Sequence, residues 1–355
     1  MFLNILNLSF MSGQFPQSWK EGWVKPILKP GKDKNNPLSY RQICLGNVSS
    51  KIMEKLIANR LTWYLTKNKI INDDQLGFQK SFSCIDQVAR LVRDAEASLS
   101  SGRFTVAVFI DFVRAFDLVW IDGLLIKLRK IGIPPRLLSW INSFLRDRKY
   151  RVKINYDLSG EYSPDNGTPQ GSCLSPILFL VMMNDFPILP SGVISGFFAD
   201  NSNIWESGSS VPAIEHNIQK SLNIISKWCQ SWGFVINNEK TEAILFSIKR
   251  NLNPPKLYIN NKAINFKPSV KMLGMVIDNK LQWKEHIYNI KIKTDKSINI
   301  LSNSHIMNGA IQNLLYFVST KVQSYLEFNM EIFCTIRLLK VTLKYLTLFN
   351  IKRYF

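Results

Sequence analysis

Asp111 follows the seven-residue run FTVAVFI, apolar except for Thr105, and Asp200 lies in the polar centre of VISGFFADNSNIW. The first run has strand length and is rich in β-branched and aromatic residues, so it reads as a buried strand that ends abruptly in an acid. The second has apolar arms around a short polar middle, which predicts a hairpin with Ala199 to Asn201 near its turn. If the two strands are neighbours in one sheet, both carboxylates leave it by the same edge. Paired carboxylates are hard oxygen donors with a short reach, suited to hard divalent cations. Two such cations could lower the pKa of an attacking hydroxyl and steady a leaving phosphate, the basis of two-metal phosphoryl transfer. Taken singly, an Asp after a strand is an ordinary turn residue or helix cap, so the assignment depends on its surroundings.

Those surroundings mix helices and strands without a steady β-α-β alternation, which points to an α+β fold. Met53, Leu56, Ile57, Leu61, Tyr64 and Leu65 mark one helix face, and Ile85, Val88, Ala89, Val92, Ala95 and Leu99 a second. Helical patterns recur at about 121–131, 136–146 and 212–231, and short strands are expected at 243–246, 257–259 and 270–277. Ser175 followed by Pro176 predicts a capped helix start, with the helix running to Pro187. The basic stretch RDRKYRVK (146–153) reads as a strand edge or turn.

The chain has 355 residues, 46% of them hydrophobic, enough for two or three lobes with real cores. Its formal net charge of +19 favours polyanionic partners, nucleic acid before anionic membrane. Aromatic residues make up 12% and supply stacking surface for bases. The five cysteines are scattered with no CxxC pair, and there are three histidines, which argues against a zinc site or a disulfide framework. A reducing, intracellular compartment is expected, nuclear or cytoplasmic. The apolar start MFLNILNLSFMSG has no basic flank and reads as a buried helix, not a signal peptide, and Ile177 to Met183 is too short to span a bilayer.

Taken in order, the motifs resemble the reverse transcriptases of non-LTR retrotransposons, similar to the jockey-like elements of insects. WKEGWVKPILKPGKDKNNPLSYRQICL resembles the opening fingers motif, and KIMEKLIANRL and QLGFQKSFSCIDQV resemble the next two. VFIDFVRAFDLVW and GFFADNSNIW resemble the two catalytic motifs, with NGTPQGSCLSPILFLVMMND, the template-and-nucleotide motif, between them. GFVINNEKTEAILF and VKMLGMVIDNKLQWKEHI resemble the two palm motifs that follow, so the likeness runs from about Phe15 to Cys334.

The resemblance implies a right-hand polymerase: fingers over 1–103, a palm with a small antiparallel sheet over 104–283 with a finger insertion around 121–160, a helical thumb over 284–335, and an off-pattern tail over 336–355. Asp111 and Asp200 would hold two Mg²⁺ ions, with Mn²⁺ as a substitute, and the Phe112 carbonyl would add a donor. Phe116 would exclude a ribose 2′-hydroxyl by bulk. Gln170 and Gly171 match the nucleotide-facing turn, where glycine permits close backbone approach. Lys29 and Arg41 match finger positions that grip a triphosphate. Lys240 matches a lysine that protonates pyrophosphate, and Met272, Leu273 and Gly274 match the primer-gripping hairpin. RNA template, DNA primer and deoxynucleoside triphosphates are the implied partners. An endonuclease domain is expected to be absent from this chain, and no membrane association is expected.

Some positions depart from the pattern. Asn201 stands where the family has a second aspartate, so one negative charge is missing at the metal site. Gln42 replaces a usual proline, Gln79 and Ser81 replace arginine and glycine, and Asn329 replaces a glycine near Tyr325. These changes leave three expectations open: a polymerase, active or with impaired chemistry, a non-catalytic nucleic-acid-binding remnant, or a pseudogene product that does not fold stably.

Overall fold

The computed structural model describes residues 2–79, 82–249 and 252–302. Ser81, Tyr325, Asn329 and most of the expected thumb and tail lie outside the described residues. The chain opens with α1 (Phe2–Ser12), β1 (Glu21–Leu28) and β2 (Tyr40–Leu45), then α2 (Val48–Lys67) and α3 (Cys84–Ser100). After β3 (Phe104–Ile110) come α4 (Ile121–Lys130), α5 (Pro135–Leu145), β4 (Lys149–Ile154), β5 (Asp157–Leu158) and α6 (Ser175–Met183). The hairpin β6 (Val193–Phe198) and β7 (Asn201–Gly208) leads into α7 (Val211–Trp232) and β8 (Glu242–Phe246). Three two-residue strands, β9 (Tyr258–Ile259), β10 (Lys262–Ala263) and β11 (Asn265–Phe266), precede the hairpin β12 (Ser269–Met272) and β13 (Met275–Asp278) and the helix α8 (Lys284–Ser302).

The five-stranded sheet has the order β11-β8-β3-β7-β6, antiparallel except for the short β11–β8 pair. Six of the seven β3 residues are buried, as their continuous apolar run requires of a central strand covered on both faces. Val106, Val108 and Ile110 share a core with Ile204, Leu222 and Ile225, whereas Ala107 faces Val88, Leu91 and Val92 of α3. Each fully buried Val, Leu or Ile contributes about 1.5–3 kcal/mol, so the sheet that carries Asp111 and Asp200 is firmly seated. At the start of α3, Ser83 and Asp86 form a reciprocal capping box.

The second sheet has the order β2-β1-β4-β5. Here the basic stretch is not a strand edge: β4 pairs in parallel with β1 and antiparallel with β5. Two other expectations change. The first helix is only partly buried, because Leu6 and Ser9 face inward while Leu3 and Leu8 are 65% and 70% exposed. It leans on the outside of α5, where Trp140 Nε1 donates to Ser9 Oγ at 3.0 Å. Ser175 is the first helical residue and not the cap. Its hydroxyl donates instead to the Pro169 carbonyl at 2.8 Å, tying the preceding turn to α6. That helix ends at Met183, before Pro187, and the Asn184 side chain then accepts the Asn72 N–H at 2.8 Å. No described helix is long and apolar enough to cross a membrane.

Lys127 on α4 is buried, yet its ammonium reaches Asp185 Oδ1 and the Met182 carbonyl, both at 2.5 Å, and lies 3.7 Å from the Trp232 ring centre. Burial, partly offset by Asp185, lowers its pKa from 10.5 to about 8. The folded chain therefore gives up this proton before the unfolded chain does. Between pH about 8 and 10.5 the unfolded state binds more protons, so the wild type should gain stability relative to Lys127→Met as pH rises, by up to about 3 kcal/mol. Urea midpoints for both proteins at pH 7.5 and 9.5 check this, and a difference that stays flat with pH contradicts it.

Candidate active site

Asp111 is the first residue past β3. Its N–H donates to Thr241 Oγ1 at 3.3 Å and its carbonyl accepts from Asn237 N at 2.8 Å, so the chain around the acid is held from the β8 side. The last β3–β7 pair is Ile110 with Ser202, and one further step along that register aligns Asp111 with position 201. The β6–β7 turn consists of Ala199 and Asp200, closed by the Phe198–Asn201 pair. Ala199 takes φ +60°, the left-handed region that a tight two-residue hairpin demands of its first central residue. Register and turn together bring both carboxylates to one edge of the sheet, as the sequence predicts.

The electrostatics fit that proximity. Burial, reinforced by the neighbouring Asp111 carboxylate, pushes the Asp200 acid above the usual aspartate range. Lys240 Nζ stands 3.7 Å from Asp111 Oδ2 with both side chains well exposed, so water screens the pair and it contributes little to stability. The Asn237 side chain accepts the backbone N–H groups of Glu239 at 3.2 Å and Lys240 at 3.3 Å, a turn that delivers Lys240 to the site. The Asn201 amide nitrogen lies 3.5 Å from both Asp200 Oδ1 and the Phe198 carbonyl. A donor thus occupies the place where a second carboxylate would supply charge.

The donor set suits a hard divalent cation, because two carboxylates share one edge of the sheet and the ammonium nearest to Asp111, that of Lys240, is exposed and screened by water. It is sparse, however. Among the described residues no group of three or more His, Cys, Asp or Glu side chains converges on one point. Phe112, whose carbonyl is the implied extra donor, is buried in the core and bridges to Ile236.

The remaining candidates fall into three places. Phe116 stacks on Phe179 at 4.3 Å with Phe78 edge-on at 6.3 Å, and its carbonyl accepts the Thr168 N–H at 2.9 Å. That bond and the Gln170 Nε2 bond to Asp117 Oδ1, 2.6 Å, fasten the turn at 169–171 beside the segment after Asp111. The Gln170 carbonyl also accepts the Cys44 N–H of β2 at 2.8 Å, so this turn joins the two sheets. Arg41 belongs to the second sheet, and Lys29 is the first residue past its strand β1. Arg41 is exposed on β2 opposite Ile27, and Lys29 Nζ is engaged by the Leu38 carbonyl at 3.0 Å, closing its own loop. Met272, Leu273 and Gly274 sit on the β12–β13 hairpin, whose turn residues take φ +49° and +91°. Met272 is buried in the core that α3 shares with that hairpin.

Gly171 has a reason of its own to be glycine. At φ +107° a Cβ would meet the Cys44 carbonyl oxygen at 2.9 Å. Gly171→Ala should cost about 2 kcal/mol of folding stability, read as a lower urea midpoint in the protein without any nucleotide. An unchanged midpoint would mean that the β2 contact does not constrain this residue.

Motif spacing missed Thr241, Asn237 and Gln75. The Asn-Asn-Glu-Lys-Thr string between α7 and β8 does carry a turn signal. Nothing in the sequence links Gln75 to Ala199, whose N–H its side chain accepts at 3.2 Å.

The family described as reverse transcriptase (RNA-dependent DNA polymerase) matches residues 27–277. The probable RNA-directed DNA polymerase from transposon BS of Drosophila melanogaster is 33% identical over 282 residues, covering 77% of this chain and 31% of that protein. The RNA-directed DNA polymerase from the mobile element jockey of the same species is 32% identical over 300 residues, covering 81% and 32%. The chain thus spans about a third of the length of these relatives. Among solved structures, telomerase from Candida tropicalis in complex with a telomeric RNA fragment has a TM-score of 0.52 at 12% identity, over 93% of this chain and 58% of that one, a likeness of fold alone. With the motif order, the sheet that joins Asp111 to the Ala199–Asp200 turn, and these matches in agreement, the chain belongs to the reverse transcriptase family, in the branch carried by non-LTR retrotransposons.

Proposed function

We propose that this chain is the polymerase module of a non-LTR retrotransposon reverse transcriptase and copies an RNA template by extending a DNA primer with deoxynucleoside triphosphates. The observation that carries the proposal is the convergence of Asp111 and Asp200 at one edge of the palm sheet, with Lys240 beside them. Reverse transcriptases as a family work with divalent metals. Asp111 and Asp200 would hold Mg²⁺ or Mn²⁺ here, which when bound would acidify the primer 3′-hydroxyl and neutralise pyrophosphate. Lys240, 3.7 Å from Asp111, would donate a proton to that leaving group. Phe116, backed by Phe179, forms a bulky floor against a ribose 2′-hydroxyl. Arg41 offers a bidentate fork to the triphosphate, whereas Lys29 serves chiefly to close its loop.

On this proposal residues 1–103 act as fingers, with α3 lending a face to the palm, and 104–283 as the palm, with a finger insertion around 121–160 that supplies β4. A thumb would occupy 284–335. Asn201 leaves the site one negative charge short, so metal occupancy and rate are both reduced. The test is primer extension on an RNA template with Mg²⁺ and with Mn²⁺. Salt-sensitive binding to primer–template without any extension, in the Asn201→Asp protein as well, would favour a binding remnant over a polymerase.

A further inference from the structure

The turn that presents Asp200 is held from outside the hairpin. A non-glycine residue in the left-handed region, as Ala199 is at φ +60°, costs about 1–2 kcal/mol and persists only if its surroundings enforce it. β6 is the edge strand of the palm sheet, and residues 74–77 run along its open side. Phe197 N donates to the Asp74 carbonyl and Leu76 N to the Phe197 carbonyl, both at 2.9 Å. The Ser195 hydroxyl donates to Asp74 Oδ2 at 2.6 Å, and Asp74 is paired with Arg90 of α3 at 2.9 Å. The segment is anchored at its start, where Asn72 N donates to the Asn184 side chain. At its end it meets the turn directly. Gln75, only 3% exposed, accepts the N–H groups of Gly77 at 3.0 Å and Ala199 at 3.2 Å with the same Oε1. Gly77 presses so close that a Cβ would stand 2.2 Å from Ala199 N.

Resting on the assignment of Asp111 and Asp200 made above, we propose that residues 72–77 are a clamp that fixes the aim of the Asp200 carboxylate, with Gln75 as its positioning residue. Gln75 touches neither substrate nor metal. It acts through the Ala199 N–H, next to the acid. A clamp on backbone groups explains how an alanine can hold a conformation better suited to glycine, and it ties divalent-cation affinity to a loop outside the palm strands. Without the acceptor, two buried N–H groups would be left unpaired and the turn would relax, lowering the population in which both carboxylates face one cation.

The test measures Mn²⁺ binding by electron paramagnetic resonance in the full chain carrying Asn201→Asp, alone and with Gln75→Met or Gln75→Glu. Asp111→Ala in the same protein identifies the site. Methionine keeps length and apolar bulk but its sulfur accepts only weakly, whereas glutamate retains the oxygen acceptor. Gln75→Met is expected to raise the Mn²⁺ dissociation constant about tenfold, and Gln75→Glu to restore it to within about twofold. Ser195→Ala, which loosens the same clamp from a half-buried hydroxyl, is expected to weaken Mn²⁺ binding about threefold and serves if Gln75→Met fails to fold. Equal affinity in the Asn201→Asp protein with and without these substitutions overturns the clamp and leaves the metal site standing. Mn²⁺ binding that Asp111→Ala does not change overturns the site itself, and the clamp with it.

Discussion

Asp111→Asn, made in the Asn201→Asp protein, is expected to lower nucleotide incorporation about 10³-fold while changing primer–template affinity by less than about twofold. Asp111 projects from the end of β3, the most buried of the described strands, and its backbone N–H and carbonyl are both held from the β8 side, by Thr241 and Asn237. The acid therefore cannot be replaced by a nearby group without moving the sheet. An amide keeps the volume and the turn geometry, so folding is preserved and the loss reports the missing charge. A cation at a phosphoryl-transfer site is worth several kcal/mol of transition-state stabilisation, and each 1.36 kcal/mol is a factor of ten. Removing Asp111 also removes the like charge that helps hold the Asp200 acid high, so the apo variant should titrate Asp200 at lower pH. Incorporation in single turnovers, with primer–template affinity from fluorescence anisotropy, separates the two effects. A drop in affinity that matches the drop in rate would mean that Asp111 is structural.

The second expectation runs the other way. Asn201→Asp should raise primer extension about 10- to 100-fold and lower the Mg²⁺ concentration needed for half-maximal rate. Position 201 is exposed and in register with Asp111, and its amide nitrogen sits 3.5 Å from the Asp200 carboxylate. Aspartate there adds a negative charge at a site that holds two, which disfavours the bare site and favours the cation-loaded one. The Phe198–Asn201 pairing that closes the turn uses backbone groups, so the fold should tolerate the change. A gain that appears at limiting Mg²⁺ and fades at saturation would mean that Asn201 affects occupancy alone. A gain that persists would place the residue in the chemistry. No change in either would make Asn201 a neutral turn residue.

The central strand and the hairpin were legible because their physics is local. FTVAVFI has Thr105 as its single polar residue, too little for a surface, and VISGFFADNSNIW can bury its arms only by folding back on its centre. What was hidden is non-local. RDRKYRVK looked like an edge because charges usually sit there, yet β4 is joined to β1 across a separation of more than a hundred residues, with its charges on the exposed face of a two-sided pairing. Ser175 has the composition of a cap, but the hydroxyl is drawn to Pro169 by a turn that only the folded chain brings near. Gly171 matches a nucleotide-facing turn, but the second reason for glycine there, the Cys44 carbonyl of a distant strand, is visible only in the fold. Gln75 gave no signal because an amide that accepts two backbone N–H groups has no spacing rule.

The most direct measurement is single-nucleotide primer extension on an RNA template by the Asn201→Asp protein, with the natural chain and Asn201→Asp carrying Asp111→Asn alongside. Extension that depends on Mg²⁺ or Mn²⁺, that is strong in the Asn201→Asp protein, weak in the natural chain and lost with Asp111→Asn, is the expected result. Primer–template binding by all three proteins with extension by none would contradict the assignment of Asp111 and Asp200 as a working metal site.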